Sequence, residues 1–135
     1  MTTDVLELGR AIKQLQNVNH RRLEIGLRGI DTTLAQWDAL RAIDANPGAS
    51  AHALAEETFQ TDQSFGTLAT RLIAKGLVER RAGNGRSLAH SLSQKGRDVL
   101  KQGSAIAGTV IEDTFKALSE SERAQLLQLV RRVQA

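Results

Sequence analysis

Leu68-Ala69-Thr70-Arg71-Leu72-Ile73-Ala74-Lys75-Gly76-Leu77-Val78-Glu79-Arg80-Arg81 changes period in its middle. Up to Lys75 the apolar residues recur at helical spacing. Phe65, Leu68, Leu72 and Ile73 share one side of a helix that Thr61 caps and Gly76 closes. From Leu77 the pattern is extended. Residues 77–81 and 88–92 read as two short strands, and Asn84-Gly85 between them is a strong hairpin signal, because both residue types tolerate the positive φ of a tight turn. A helix running directly into a two-stranded hairpin is predicted at the centre of the chain.

Upstream, Ser50 caps a short helix with Ala51, Leu54 and Ala55 inward. Before it, Thr33-Leu34-Ala35-Gln36 is a capping box, in which the Thr33 hydroxyl takes an orphan backbone N–H while Gln36 reaches back. The helix it opens carries Trp37, Leu40 and Ile43 on its apolar side and stops at Asn46-Pro47-Gly48. Residues 4–28 read as a long first helix, with Val5, Leu8, Ile12 and Leu15 at three-and-four spacing, Leu23 and Leu27 on a rotated stripe, and Gly29 ending it. At about 24 residues and roughly 36 Å it is too long to lie along so small a core.

Downstream, Ser93 starts a long helix containing Val99, Leu100, Ile106, Val110 and Phe115. Ser119-Glu120-Ser121-Glu122 is a second capping box, opening a last helix with Leu126, Leu127, Leu129, Val130 and Val133. Short helices followed by a hairpin are the parts of a winged helix-turn-helix. The predicted fold is mostly α with a small β-hairpin. A winged helix core over residues 32–97 is flanked by long terminal helices, residues 4–29 and 98–135, in a single domain.

The 135 residues, 41% hydrophobic and 24% charged, suit one domain with a buried core. Zero cysteines exclude disulfides, thiol redox sensing and cysteine-ligated zinc. No apolar run approaches a membrane span and the N-terminus lacks a signal-peptide pattern, so a cytoplasmic protein without a membrane partner is predicted. The net charge of +3 is unevenly placed: residues 61–97 hold seven Lys/Arg against two acids, giving +5, and the other 98 residues hold eleven against thirteen, giving −2. The basic segment begins at the helix before the hairpin and covers the hairpin. Double-stranded DNA fits that placement, with the helix in the major groove and the hairpin on the flanking backbone.

With these elements in place, the chain resembles the MarR family of bacterial transcriptional regulators over essentially its whole length. The resemblance is carried by Leu34-Ala35-Gln36-Trp37-Asp38-Ala39-Leu40-Arg41, by Leu54-Ala55-Glu56-Glu57, by the stretch quoted above and by Leu92-Ser93-Gln94-Lys95-Gly96, in that order. It implies a homodimer whose first and last two helices interlock with the partner's, a pseudo-palindromic operator, and repression more often than activation. It also implies a small-molecule effector, commonly an aromatic or phenolic anion, held between the first, second and fifth helices. Val5, Leu8, Ile12, Leu126, Val130 and Val133 support the dimer independently, since a small winged domain cannot cover so much apolar surface.

Two positions depart from the family pattern. Family wings usually carry Asp-x-Arg, the aspartate bracing an arginine in the minor groove. Here Asn84-Gly85-Arg86 keeps the cation and loses the ion pair. Gly66 lies inside the recognition helix, at a cost of about 1 kcal/mol relative to alanine. It reads either as drift at a tolerated position or as close approach of the helix to DNA.

Candidate DNA contacts follow from the helical wheel. Gln63, Ser64, Thr67, Thr70 and Arg71 lie opposite or beside the apolar stripe, and the first three occupy the half that points into a groove. Gln pairs bidentately with adenine, and Ser or Thr serves either base type. Arg71 and Lys75 are expected on phosphate, with Ser50 as a further donor beside its cap role. Arg80 and Arg81 alternate on a strand, so Arg81 is assigned to DNA and Arg80 to the sheet; Asn84 and Arg86 sit at the hairpin tip. Asn17, His20, Trp37 and Arg41 are candidate effector residues, although Trp37 reads equally as core.

His20, His52 and His90 read as surface or edge residues without metal-ligand spacing, so no metal or cofactor is expected. No nucleophile elbow, phosphate loop or paired carboxylates suggest an enzyme. Phe59, Phe65 and Phe115 read as buried, which disfavours stacking on single-stranded nucleic acid. The alternative is a winged-helix dimer acting mainly through protein–protein contacts, with weak or non-specific DNA binding. The +5 segment argues against it.

Overall fold

The computed structural model describes residues 2–83, 85 and 88–135. Asn84 and Arg86 therefore lie outside the described residues. The order is α1 Val5–Leu27, a 3-10 turn Arg28–Ile30, α2 Leu34–Ala45, α3 Ala51–Glu57, α4 Asp62–Ala74, β1 Val78–Ala82, β2 Leu88–Leu92, α5 Gln94–Thr114 and α6 Glu120–Gln134. The expected winged, mostly helical fold is the one observed. Side chains of Asp4, Thr33, Ser50, Thr61, Ser93 and Ser119 each accept a backbone N–H at their helix start. Thr33 with Gln36 and Ser119 with Glu122 form reciprocal capping boxes.

The core joins α2, α3, α4 and the hairpin through Leu40, Ile43, Leu54, Phe65, Leu72, Leu77, Val78 and Leu92. Each such side chain contributes roughly 1.5–3 kcal/mol relative to leaving it in water. The first strand starts at Val78, one residue later than the alternation suggested. Leu77 instead finishes α4: its N–H donates to the Leu72 carbonyl and its side chain plugs the core. β1 and β2 pair antiparallel from Val78↔Leu92 to Ala82↔Leu88.

The start of α5 is bound to the end of α4. Ser93 N–H donates to the Leu77 carbonyl, Ser93 Oγ to the Gly76 carbonyl, and Lys95 Nζ to the Lys75 carbonyl at 3.0 Å. A Cβ on Gly96 would overlap the Leu77 carbonyl oxygen. Leu92-Ser93-Gln94-Lys95-Gly96 is thus a backbone seam, with one residue to cap, one to neutralise α4's C-terminal carbonyls and one to permit contact.

At its other end α5 runs antiparallel to α1. Gly26 lets Ile106 and Val110 approach, Thr114 Oγ donates to Asn19 Oδ1 at 3.2 Å, and Arg22 lies 3.7 Å from Asp113. Only Leu23 and Leu27 of α1 are buried, whereas Val5, Leu6, Leu8, Ile12, Leu15 and Val18 are exposed. α6 buries no residue; Arg123 ties it to the Phe115 carbonyl and Glu112. Both terminal helices carry apolar faces that one chain does not cover.

Phe59 corrects the sequence reading. It is 96% exposed, with φ 58°, at the turn between α3 and α4. Its N–H donates to the Glu56 carbonyl, and the Gln60 N–H to the Ala55 carbonyl, which closes α3 at a position where glycine is usual. Phe65 is buried and Phe115 half-buried. Of the three phenylalanines, Phe59 is thus open to stacking contacts. Phe59→Gly is expected to stabilise the chain by about 1 kcal/mol, through relief of the left-handed strain. Urea denaturation reads the change, and a loss of stability would show that the ring packs on something.

Candidate nucleic-acid interface

α4 lays Phe65, Leu68, Ala69 and Leu72 into the core, which turns Gln63, Ser64, Thr67, Thr70, Arg71 and Ala74 outward. The structure therefore brings the five α4 candidates onto one exposed surface. The Thr67 hydroxyl donates to the Gln63 carbonyl at 3.1 Å and that of Thr70 to the Gly66 carbonyl at 3.0 Å. With their protons so engaged, both oxygens present lone pairs outward. Ser50 accepts the Ala53 N–H at the start of α3.

The start of α4 also meets His52 of α3, which lies at the surface as the sequence suggested but with partners that it did not reveal. His52 Nδ1 lies 2.9 Å from Asp62 and Nε2 3.1 Å from Glu56, joining α3 to the first turn of α4. The hydrogen bond to Asp62, then the charges of Asp62 and Glu56, hold its pKa above the usual imidazole range. Only the Glu56 contact, one turn away, had a sequence signal. Asp62 meets His52 through the fold of the turn.

His90 is the second correction, since it is buried rather than at an edge. Its ring meets Phe65 edge-on at 6.3 Å, with Nδ1 3.4 Å from the Ala49 carbonyl. Nε2 has no partner among the described residues. Burial pushes its pKa down, which keeps the ring neutral. The contact keys the hairpin to α4. Register places Arg80 opposite His90, on the α4 side of the hairpin, while Arg81 turns outward and pairs with Glu79 at 3.2 Å.

The basic segment is not uniform. Lys75 Nζ donates to the Asp31 carbonyl at 3.0 Å and to Gln36 Oε1 at 3.2 Å, tying α4 to the start of α2. These two bonds occupy the half-exposed ammonium that the sequence assigned to phosphate. Lys95 caps α4, and Arg97 donates to the Leu92 carbonyl at 3.0 Å. Arg71 and Arg80 form no ion pair with described residues.

The effector candidates are not gathered into one place within the chain. Trp37 Nε1 donates to Ser104 Oγ at 3.1 Å, and its ring lies over Gly103, where a Cβ would crowd it. Arg41 pairs with Asp38 at 2.9 Å. Asn17 and His20 are exposed on α1, flanking Asn19, which meets Thr114. From Gly103 to Thr114 is roughly 16 Å along α5. Among the described residues no group of His, Asp or Glu side chains could hold a metal ion, and no helix is long and apolar enough to cross a membrane.

The sequence profile of the MarR family matches residues 30–87. The transcriptional regulator HosA of Escherichia coli is 31% identical over 105 residues, 76% of this chain and 78% of that protein. The transcriptional repressor Rv2887 of Mycobacterium tuberculosis is 24% identical over 132 residues, 96% and 95% of the two chains. Its crystal structure with p-aminosalicylic acid superposes with a TM-score of 0.79 at 23% identity, covering 95% of this chain and 98% of that one. A mutant E. coli MarR crystallised with operator DNA is 25% identical with a TM-score of 0.86, covering 96% and 94%. Fold, motif order and relatives agree: the chain belongs to the MarR family of transcriptional regulators.

Proposed function

We propose that the protein is a sequence-reading repressor that binds a pseudo-palindromic operator in double-stranded DNA as a homodimer. The observation that carries this reading is the polar outer face of α4, joined through His90 to a basic hairpin whose Arg80 lies on the same side. A helix presented in this way enters the major groove and the hairpin reaches the flanking backbone. Gln63, Ser64, Thr67 and Thr70 meet base edges. Arg71 and Arg80 meet phosphate, Arg80 because it lies on the α4 side of the hairpin and not in the bracing role that the alternation suggested, with Ser50 and Arg81 at the margins. Asn84 and Arg86, outside the described residues, stay as expected wing contacts. The uncovered apolar faces of α1 and α6 pair with those of a second copy, which sets the distance between two copies of α4.

Release follows from a population shift: a ligand that prefers one lobe spacing draws the dimer away from the spacing that fits both half-sites. A small aromatic acid is the proposed effector class. Trp37 held against Gly103 and Ser104, with Arg41 one turn further on, supports this, as does the p-aminosalicylic acid in the crystal of Rv2887. Asn17 and His20 join such a site only through the partner copy.

Selection of bound fragments from random DNA tests the reading. Enrichment of an inverted repeat, with affinity falling steeply in salt, is the expected result; salt-sensitive binding without enrichment would remove the base-reading roles. Arg71→Ala is expected to weaken all sequences alike and to reduce the salt slope by about 1.8, since each dimer loses two phosphate contacts. An unchanged slope would take Arg71 off the phosphate.

A further inference from the structure

The recognition helix carries a glycine that its own chain does not need. Gly66 sits in the middle of α4 with helical backbone, and a Cβ built on it meets nothing within 4 Å. Gly96 and Gly103 are different: a Cβ there strikes the Leu77 carbonyl or the Trp37 ring. Alanine at position 66 would fit and would favour the helix. Gly66 lies beside Gln63, Thr67 and Thr70, the outward stripe that Ala74 continues. Apart from Gln63 on that stripe and Arg71 beside it, the outward side chains of α4 from Gln63 to Ala74 are short. A helix with short side chains touches base edges only if its backbone lies deep in the groove.

We infer that Gly66 sets the depth of α4 in the major groove and is a positioning residue for operator recognition. This rests on the reading of α4 as the DNA-reading helix. Without a methyl at Gly66 the helix settles close enough for the Thr67 and Thr70 oxygens to reach the bases. Their protons are engaged by the Gln63 and Gly66 carbonyls, so these oxygens act as acceptors. The groups they fit are exocyclic amines, adenine N6 or cytosine N4, in the major groove. Depth and acceptor chemistry together specify the half-site without an arginine fork.

The test compares wild type with Gly66→Ala and Gly66→Val, using DNA recovered by selection on the wild type. Gly66→Ala is expected to raise the melting temperature by about 3 °C while weakening the selected sequence about tenfold, with affinity for unrelated duplex unchanged. Gly66→Val is expected to weaken it further. Equal operator affinity for wild type and Gly66→Ala would overturn the inference while leaving the proposed function intact. So would a lower melting temperature for Gly66→Ala, since the glycine would then serve packing. Failure of the wild type to enrich any sequence would overturn both.

Discussion

Ile12→Asp is expected to convert a dimer into a folded monomer and to weaken operator binding about 1,000-fold. Ile12 is 57% exposed in the single chain, as are its helical neighbours Leu8 at 51% and Leu15 at 41% to comparable degrees, so a carboxylate there costs the isolated fold little. In a dimer the same carboxylate would be buried among apolar side chains without a partner, which costs several kcal/mol. Loss of the second half-site removes the effective-concentration gain of two linked binding modules, commonly 100- to 10,000-fold. Sedimentation velocity gives the assembly state and titration of the selected operator gives the affinity. A variant that stays dimeric and binds normally would place the interface elsewhere.

Gly96→Ala is expected to be the most damaging small substitution in the winged core, at roughly 3 kcal/mol or more. Propensity alone predicts the opposite sign, because alanine favours a helix by about 1 kcal/mol over glycine. Here the added methyl meets the Leu77 carbonyl, which belongs to backbone and is fixed by the Ser93 N–H. Relief requires α5 to lift from the end of α4, breaking the Ser93 and Lys95 contacts to Gly76 and Lys75. Urea denaturation measures the loss, and a variant of normal stability would mean that the seam yields at little cost. The same substitution at Gly66 carries the opposite expectation, and only the surroundings differ.

What the sequence revealed was whatever local chemistry dictates. Thr33 with Gln36 and Ser119 with Glu122 have few alternatives to a helix start, and both boxes form. The outward set on α4 follows from where Phe65, Leu68 and Leu72 must go. Charge was less legible, because a count cannot tell an exposed cation from one that serves a carbonyl. Lys75, Lys95 and Arg97 all contributed to the basic segment, and all three bind backbone oxygens. Phe59 misled for a related reason: an aromatic residue predicts burial until its backbone is known to be left-handed. His52 and His90 needed tertiary neighbours, Asp62 and Phe65, that spacing does not announce.

α5 is held at both ends, by the Ser93–Gly96 seam against α4 and by Asn19 and Arg22 against its far turns. A rod of 21 residues is roughly 31 Å long, so a tilt of about 5° at one end displaces the other by roughly 3 Å. Hydrogen bonds to bases tolerate only a few tenths of an ångström beyond about 3.2 Å. The helix is therefore a mechanical amplifier with a gain set by its length. On the proposed reading of α4 as the DNA-reading helix, a rearrangement too small to alter the packing around α1 displaces α4 far enough to take the protein off its operator.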